Sequence, residues 1–224
     1  MTTHKLSFSH TSLKDFSNCP LAYYHKRVLK DVTFQQTEAA LFGVEAHKHF
    51  ELRVTEDKPL PEHYADYEAV LFDKIKGYRL EAERQYCFNE KLEEVEWYAE
   101  GAWLRGVVDL IVWLDEETVW LVDFKTGKRR VEFDQLQMFA AFVMHTNPSV
   151  KTVRASYLWI NVKPPAIDTE TYTRDQLNGI WASVMTKIRR VYKAAEHDVW
   201  PARPSGLCNW CDFNKQHGCE YARK

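Results

Sequence analysis

Two aspartates and a lysine interrupt consecutive apolar segments near the middle of the chain. Asp109 lies in the segment that begins at Trp103, and Asp123 and Lys125 lie in the next one. Side chains two residues apart in a strand point to the same face, so Asp123 and Lys125 would point together. If residues 115–118 form a hairpin turn, Asp109 lies beside Asp123. The pattern therefore predicts two neighbouring carboxylates with a lysine next to them.

This set of side chains is equipped for metal-assisted phosphodiester hydrolysis. Two carboxylates at close range repel each other unless a cation joins them, and hard oxygen ligands suit Mg²⁺ or Mn²⁺. Lys125 could then orient the attacking water or help to deprotonate it. The alternative is a surface salt bridge between Asp123 and Lys125, with Asp109 capping a turn. Because an unpaired charge inside an apolar strand is costly, the position of these residues favours the site.

Three further polar residues are candidates for the same site. His47 and Glu51 lie four residues apart in a predicted helix and share a face, with Gly43 one turn earlier. His47 becomes a metal-ligand candidate if this face meets the two aspartates. Gln135 opens the helix that follows the Asp-x-Lys strand, so its amide could reach the site. Glu83, the last residue of the helix predicted over 62–83, could approach the same face.

The cysteines are unevenly placed along the chain. Cys208, Cys211 and Cys219 are separated by two and then seven residues, whereas Cys19 and Cys87 stand alone. In a cytosolic protein a clustered set indicates metal binding rather than disulfides. Cys19 is the obvious fourth ligand, and Cys87 reads as an ordinary buried thiol. Zinc and an iron–sulfur cluster both accept four thiolates, and the spacing alone leaves both open.

The elements that must position these residues follow from hydrophobic periodicity and turn signals. Two short helices are predicted near the start of the sequence, around residues 13–16 and 21–28. Longer helices are predicted over 37–55, 62–83, 134–145 and 174–196, and strands over 84–88, 103–114, 119–126, 153–162 and 167–173. This order predicts an α/β core, mostly antiparallel with one crossover helix, and an N-terminal helical wrap.

Composition excludes several classes of protein. The chain has 224 residues, of which 45% are hydrophobic, so it is not intrinsically disordered. The net charge of -2 is not that of a protein held on nucleic acid by charge alone, although basic residues could be clustered. No apolar run is long enough to span a membrane, and residues 1–5 lack the apolar core of a secretory signal. We therefore expect a cytoplasmic protein, and its size also suits a phage-encoded one.

Five short motifs, taken together and in order, resemble the RecB-type branch of the PD-(D/E)XK nuclease superfamily. The resemblance covers nearly the whole chain, and Phe139 stands where the family usually has Tyr, which removes a hydroxyl contact. The motifs are Ser12-Leu-x-x-Phe16-x-x-Cys19-Pro20-x-x-Tyr23, Gly43-x-x-x-His47-x-x-x-Glu51, Gly106-x-x-Asp109, Asp123-x-Lys125-Thr126-Gly127 and Gln135-Leu-x-x-Phe139.

The resemblance implies roles for particular residues. A divalent metal, Mg²⁺ or Mn²⁺, would be bound by His47, Asp109, Asp123 and the backbone carbonyl of Phe124. Lys125 would act on the attacking water, and Gln135 would support the site or the phosphate. The subset of the family that includes CRISPR-associated and phage RecB-type exonucleases further implies a [4Fe–4S] cluster with a structural role. Its four ligands would be Cys19, Cys208, Cys211 and Cys219.

The fold implied is a restriction-endonuclease-like core, in which a mixed central sheet is flanked by helices. We expect one nuclease domain over residues 1–224. It would comprise a helical N-terminal part (1–83), the nuclease core (84–198) and a C-terminal cysteine tail (199–224) joined to Cys19 through the cluster.

The activity implied is that of a metal-dependent DNA exonuclease, acting on single-stranded DNA or duplex ends. Basic residues of the tail and exposed aromatics such as Trp210 could guide the strand by charge and stacking. One alternative is a non-catalytic nucleic-acid-binding module on the same scaffold. Another is a subunit that is active only with partner proteins of a repair, recombination or CRISPR adaptation complex. Cleavage by the isolated chain would distinguish these alternatives.

Overall fold

The computed structural model describes residues 6–222, so Met1–Lys5 and their predicted lack of a signal lie outside the described residues. The chain forms two compact units, each made of segments that are distant in sequence. The sheet unit contains residues 37–87 and 106–181. The terminal unit contains residues 6–36, 88–105 and 182–222. No helix within residues 6–222 combines the length and the apolar character needed to cross a membrane.

Five strands form one mixed sheet in the order β1-β2-β3-β4-β5. β2 and β3 pair antiparallel, as do β4 and β5, whereas β3 and β4 pair parallel. A parallel pair needs a crossover connection, and one helix, α5, provides it between β3 and β4. The strands are β1 Arg79–Phe88, β2 Leu104–Trp113, β3 Thr118–Lys125, β4 Thr152–Trp159 and β5 Ala166–Thr173.

The helices lie at both ends of the chain and at the crossover, which agrees with the predicted order of elements. The α-helices are α1 His10–Asn18, α2 Pro20–Tyr23, α3 Glu38–Thr55, α4 Asp73–Ile75, α5 Asp134–Thr146, α6 Leu177–His197 and α7 Asp212–His217. The remaining turns are a π-helical turn Tyr24–Leu29 after α2, a π-helical turn Glu68–Phe72 before α4, and 3-10 turns at Glu62–Tyr64, Arg174–Gln176 and Cys208–Trp210. The predicted α/β class with a mixed sheet flanked by helices is confirmed.

The core of the sheet unit is apolar on both faces of its central strands. β3 contributes six consecutive buried residues, and α5 is buried along most of its length. Strands that are covered on both faces read as continuous apolar runs rather than as alternating ones. Asp123 is the one charged residue in this buried run, and the partly exposed Lys125 ends the strand, so the buried charge of Asp123 needs an explanation from the site.

The predicted helix over residues 62–83 is wrong in its second half. Helical turns end at Ile75, Gly77 takes a left-handed φ of 88°, and β1 begins at Arg79. Residues 79–83 are good helix formers locally, but sheet pairing overrides a helix propensity that is worth only a few tenths of a kcal/mol per residue, by roughly the usual scale. The boundary predicted between the helical part and the core at residues 83 and 84 therefore falls inside a strand.

Candidate active site

The β2–β3 hairpin brings the two aspartates of the sequence motif to one end of its paired region. The Cα register runs from Trp113↔Val119 to Leu110↔Val122, so Asp109 and Asp123 are the next residues beyond it. There a side chain replaces the backbone as hydrogen-bond partner: the Asp109 Oδ2 accepts a hydrogen bond of 2.7 Å from the Phe124 N–H. The hairpin is thus as predicted, and the site lies where its two strands stop pairing.

Asp123, Lys125 and Gln135 form a closed network of polar contacts. The Lys125 Nζ lies 2.5 Å from Asp123 Oδ2 and donates to Gln135 Oε1 at 3.0 Å. Gln135 in turn donates from Nε2 to Asp123 Oδ1 at 2.9 Å. The carboxylate is buried, with 3% of its side chain exposed, whereas the Lys125 side chain is 30% exposed. The lysine therefore links a buried anion to the solvent side of the site.

Burial and charge set the protonation of Asp123. Burial raises the pKa of its carboxyl, and the neighbouring charge of Asp109 raises it further, while Lys125 acts in the opposite direction. The single positive charge of Lys125 therefore does not fully compensate the two negative charges of Asp109 and Asp123, which repel each other.

α5 carries Gln135 into this network because the helix packs closely on β2. Gly106 allows the approach, since a Cβ at this position would lie 2.7 Å from the Phe139 ring and 2.8 Å from the Phe142 ring. On the sheet, Tyr157 of β4 pairs with Asp123 of β3 in the strand register, and its ring lies 5.2 Å below the Lys125 Nζ. Tyr157 could not be identified from the sequence, because an aromatic residue in a buried strand has no distinctive pattern.

His47 comes to the same place on α3. The helix begins at the Thr37 cap, whose side chain accepts a hydrogen bond from the Ala40 N–H. The Nε2 of His47 lies 2.9 Å from the Phe124 carbonyl oxygen, and its Nδ1 lies 3.5 Å from Asp109 Oδ2. The face of α3 that carries His47 therefore lies beside the aspartates, as predicted.

The His47 ring is surrounded by acceptors. Burial lowers the pKa of the imidazole, but the contact with Asp109, the charge of Asp123 and the Phe124 carbonyl together raise it above the usual value. Both ring nitrogens thus face oxygen atoms that a cation would also bind.

Glu83 of β1 also lies at this site. One ligand atom each of His47, Glu83 and Asp109 lie within 4.8 Å of one another, which is the spacing of a possible metal site. Burial, followed by the charge of Asp109, raises the pKa of the Glu83 carboxyl to about 7. Glu51, the other acidic candidate, forms an ion pair of 3.0 Å with Lys48.

These residues fit a hard divalent cation. The site offers carboxylate oxygens, a backbone carbonyl and an imidazole, and burial followed by the charge of Asp109 raises the pKa of the Glu83 and Asp123 carboxyls. Oxygen-rich sets of this kind suit Mg²⁺ or Mn²⁺. Among the described residues, His47, Glu83 and Asp109 form the one set of three metal-ligating side chains that meets this spacing.

The four cysteines of the predicted cluster lie in the terminal unit and line one cavity of about 220 Å³. All four are free thiols. Two backbone donors face them: the Arg203 N–H lies 3.5 Å from the Cys19 sulfur, and the Ser205 N–H lies 3.3 Å from the Cys208 sulfur. Cys87 is a separate, buried free thiol, as expected.

An exposed aromatic residue lies in the cysteine tail. Trp210 is 77% exposed, and the Lys215 Nζ lies 5.8 Å from the centre of its ring. Tyr221 is also exposed. The predicted combination of a basic and an aromatic side chain at the surface is thus present in this segment.

Comparison with known proteins gives the same picture of the fold. The family model of the PD-(D/E)XK nuclease superfamily matches residues 7–216. The chain is similar to the crystal structure of an exonuclease candidate from Eubacterium rectale, with a TM-score of 0.57, 14% identity, and coverage of 96% of this chain and 95% of that one. It is also similar to the crystal structure of SSO0001, with a TM-score of 0.52 and 13% identity. The match covers 100% of this chain and 90% of that one. No curated protein is significantly similar in sequence.

Proposed function

This chain belongs to the PD-(D/E)XK nuclease superfamily, and we propose that it is a divalent-cation-dependent deoxyribonuclease that degrades DNA from its ends. Its mixed five-stranded sheet flanked by helices agrees with the restriction-endonuclease-like fold of that superfamily. The observation that carries the proposal is the network in which Lys125 and Gln135 both contact the buried carboxylate of Asp123. Beside it lies a second carboxylate, Asp109, whose negative charge also raises the pKa of Asp123.

The residues divide the work of hydrolysis between them. His47, Asp109, Asp123 and the Phe124 carbonyl would hold Mg²⁺ or Mn²⁺, which when bound polarises the scissile phosphate. Lys125, whose side chain is 30% exposed, would orient a water and stabilise negative charge as it develops on the phosphate. Gln135 fixes both ends of that pair at hydrogen-bond distance, so the lysine is preorganised for this task.

Exonuclease activity on DNA is the more specific part of the proposal. It rests on the resemblance of the five sequence motifs to RecB-type exonucleases, and the name of the structurally similar Eubacterium rectale protein is in keeping with it. Trp210 and Lys215 would assist by stacking on a base and contacting the backbone of a single strand. In a repair, recombination or CRISPR adaptation complex, partner proteins would control this same nuclease activity.

We also propose that the cysteine-lined cavity holds a [4Fe–4S] cluster. In a tetrahedral zinc site with bonds of about 2.3 Å, the sulfurs lie only about 3.8 Å apart. No three thiols within residues 6–222 come within 4.8 Å of one another, and the cavity is much larger than one ion requires. Both observations favour a [4Fe–4S] cluster over a single zinc ion. The two N–H donors directed at Cys19 and Cys208 would stabilise the thiolates.

Cleavage assays test the nuclease proposal directly. Anaerobically purified protein is incubated with linear and circular DNA labelled at the 5′ or 3′ end, with Mg²⁺, Mn²⁺ or a chelator. We expect metal-dependent loss of linear DNA with circles spared, and no cleavage by Asp123→Ala or Lys125→Ala. Lys151→Ala, which removes an exposed lysine paired with Glu117, is the matched control and should retain full activity.

The outcomes of this assay separate the alternatives. Cleavage of circles would indicate an endonuclease that uses the same residues. Cleavage that survives in both the Asp123→Ala and Lys125→Ala variants would refute the proposed site. DNA binding without cleavage by iron-replete wild-type protein would instead support the binding-module or partner-dependent alternative.

Metal analysis tests the cluster separately. Anaerobic wild-type protein should contain about four iron and four sulfide per chain, as the proposed cluster requires. Cys19→Ala and Cys211→Ala should each lose iron, whereas Cys87→Ala should keep it, because Cys87 is the cysteine outside the cavity. Stoichiometric zinc with no iron would show that the cavity holds zinc instead.

A further inference from the structure

Glu83 has an unusual backbone for a residue inside a strand. It lies in β1 with a φ of 49°, in the left-handed region that residues with a side chain seldom adopt. Arg84 and Gln85, which follow it, are both exposed, so the in-and-out alternation of the strand is interrupted at this point. Irregular strand backbone can re-aim a side chain, as β-bulges do beside active sites. Backbone strain of this type is held in place by the surrounding fold and often serves function.

At this interruption of β1, the Glu83 carboxylate lies close to His47 and Asp109. A ligand atom of Glu83 lies within 4.8 Å of both the His47 and the Asp109 ligand atoms. Two ligand atoms bound to one Mg²⁺ or Mn²⁺ at about 2.1 Å are at most about 4.2 Å apart. Neighbouring ligands of an octahedral ion are about 3.0 Å apart, so side-chain movements of roughly 1–2 Å would bring all three groups onto one ion.

From these observations we propose that Glu83 is a direct ligand of the catalytic cation, together with His47 and Asp109. The inference rests on the proposed function, and it adds to the site a residue that none of the five sequence motifs contains. Its consequence is that the cation is held by four elements, β1, β2, β3 and α3, rather than by the β2–β3 hairpin and α3 alone.

The charges of the site agree with this assignment. Asp109, Asp123 and Glu83 contribute three negative charges when ionised, and Lys125 contributes one positive charge. With His47 neutral, as a metal ligand must be, the balance is two negative charges, which one divalent cation neutralises. Without Glu83 the balance is one negative charge. On α3, the neighbouring Lys48 is engaged by Glu51 at 3.0 Å.

Manganese binding to the cluster-containing full-length protein tests the inference without relying on activity. The dissociation constant for Mn²⁺ is measured from the electron paramagnetic resonance signal of the free ion. Glu83→Gln should weaken binding at least 10- to 100-fold, since loss of even an outer-shell partner has about that effect. Glu81→Gln is the matched control on the same strand, because that carboxylate contacts Arg79 and the Trp113 ring nitrogen instead. Its affinity should stay within about twofold of wild type, as expected for a group outside the ligand set.

A second variant keeps the test independent of folding. Glycine adopts a left-handed φ without penalty, so Glu83→Gly should fold at least as well as wild type and still lose the affinity. If both Glu83 variants bind Mn²⁺ as tightly as wild type, Glu83 is not a ligand and the inference fails, while the proposed function stands. If wild-type protein itself binds no Mn²⁺, the inference and the proposed function fail together.

Discussion

Gly106→Ala is the substitution whose effect the structure defines most sharply. An added methyl group would lie 2.7 Å from Cε1 of Phe139 and 2.8 Å from Cε2 of Phe142, and both rings are buried. Carbon atoms in favourable contact are about 3.5–4.0 Å apart, so both rings must give way by roughly 1 Å. Neither ring has free space to move into, because α5 is packed against the sheet along its length.

The expected magnitude follows from two opposing effects. Overpacking a core of this kind costs about 1–3 kcal/mol, while alanine in a strand regains roughly 0.5–1 kcal/mol of backbone entropy relative to glycine. Taken near the middle of each range, the net loss of unfolding free energy should be about 1–2 kcal/mol. In a chain of this length that corresponds to a decrease of roughly 2–8 °C in melting temperature. The displaced helix also carries Gln135, so cleavage should slow even at temperatures where the variant is folded.

Scanning calorimetry and cleavage assays check both parts of this prediction. Gly179→Ala is the matched control, because a methyl group there meets no atom within 4 Å and the residue lies in α6. The same change at that position should raise the unfolding free energy by about 0.4–1 kcal/mol. A Gly106→Ala protein that melts at or above the wild-type temperature would refute the packing argument, and with it the role of Gly106 in placing Gln135.

Substitutions at three more positions have defined outcomes. Thr37→Ala removes the side-chain acceptor of the Ala40 N–H at the start of α3, so unfolding free energy measured by calorimetry should fall by about 1 kcal/mol. Trp210→Ala removes an exposed ring and should weaken binding of a single-stranded oligonucleotide about 5- to 150-fold in a fluorescence titration, the equivalent of roughly 1–3 kcal/mol of stacking. Tyr157→Phe keeps the ring beneath Lys125 and should retain cleavage, whereas Tyr157→Leu, which lacks the ring, should slow it.

The parts of the site that lie on one hairpin could be predicted from the sequence alone. The alternation of side chains along a strand places Asp123 and Lys125 on one face, and the turn at residues 115–118 sets the register that brings Asp109 opposite. These are short-range consequences of strand geometry. Gln135 follows from the same logic, because the helix of a parallel crossover must begin soon after the strand it leaves.

The contribution of β1 could not be predicted, because it depends on long-range pairing. Residues 79–83 favour a helix locally, and pairing with β2 makes them a strand. Within that strand the left-handed backbone at Glu83 follows no sequence rule, since it is a glutamate and not a glycine. A local pattern can therefore identify Glu83 as acidic, but only the packed sheet shows that its carboxylate turns toward His47 and Asp109.

Asp109 combines a structural and a chemical task, and two substitutions can separate them. Its Oδ2 accepts the Phe124 N–H at 2.7 Å where the β2–β3 pairing ends, and its charge faces His47. Asp109→Asn keeps an acceptor for that N–H and removes charge repulsion with Asp123, so it should be at least as stable as wild type but bind Mn²⁺ weakly. Asp109→Ala leaves the buried N–H unpaired, which costs about 1–3 kcal/mol. Equal melting temperatures for the Asn and Ala variants would mean that the carboxylate does not support the end of the hairpin, and that its position is determined by the cation alone.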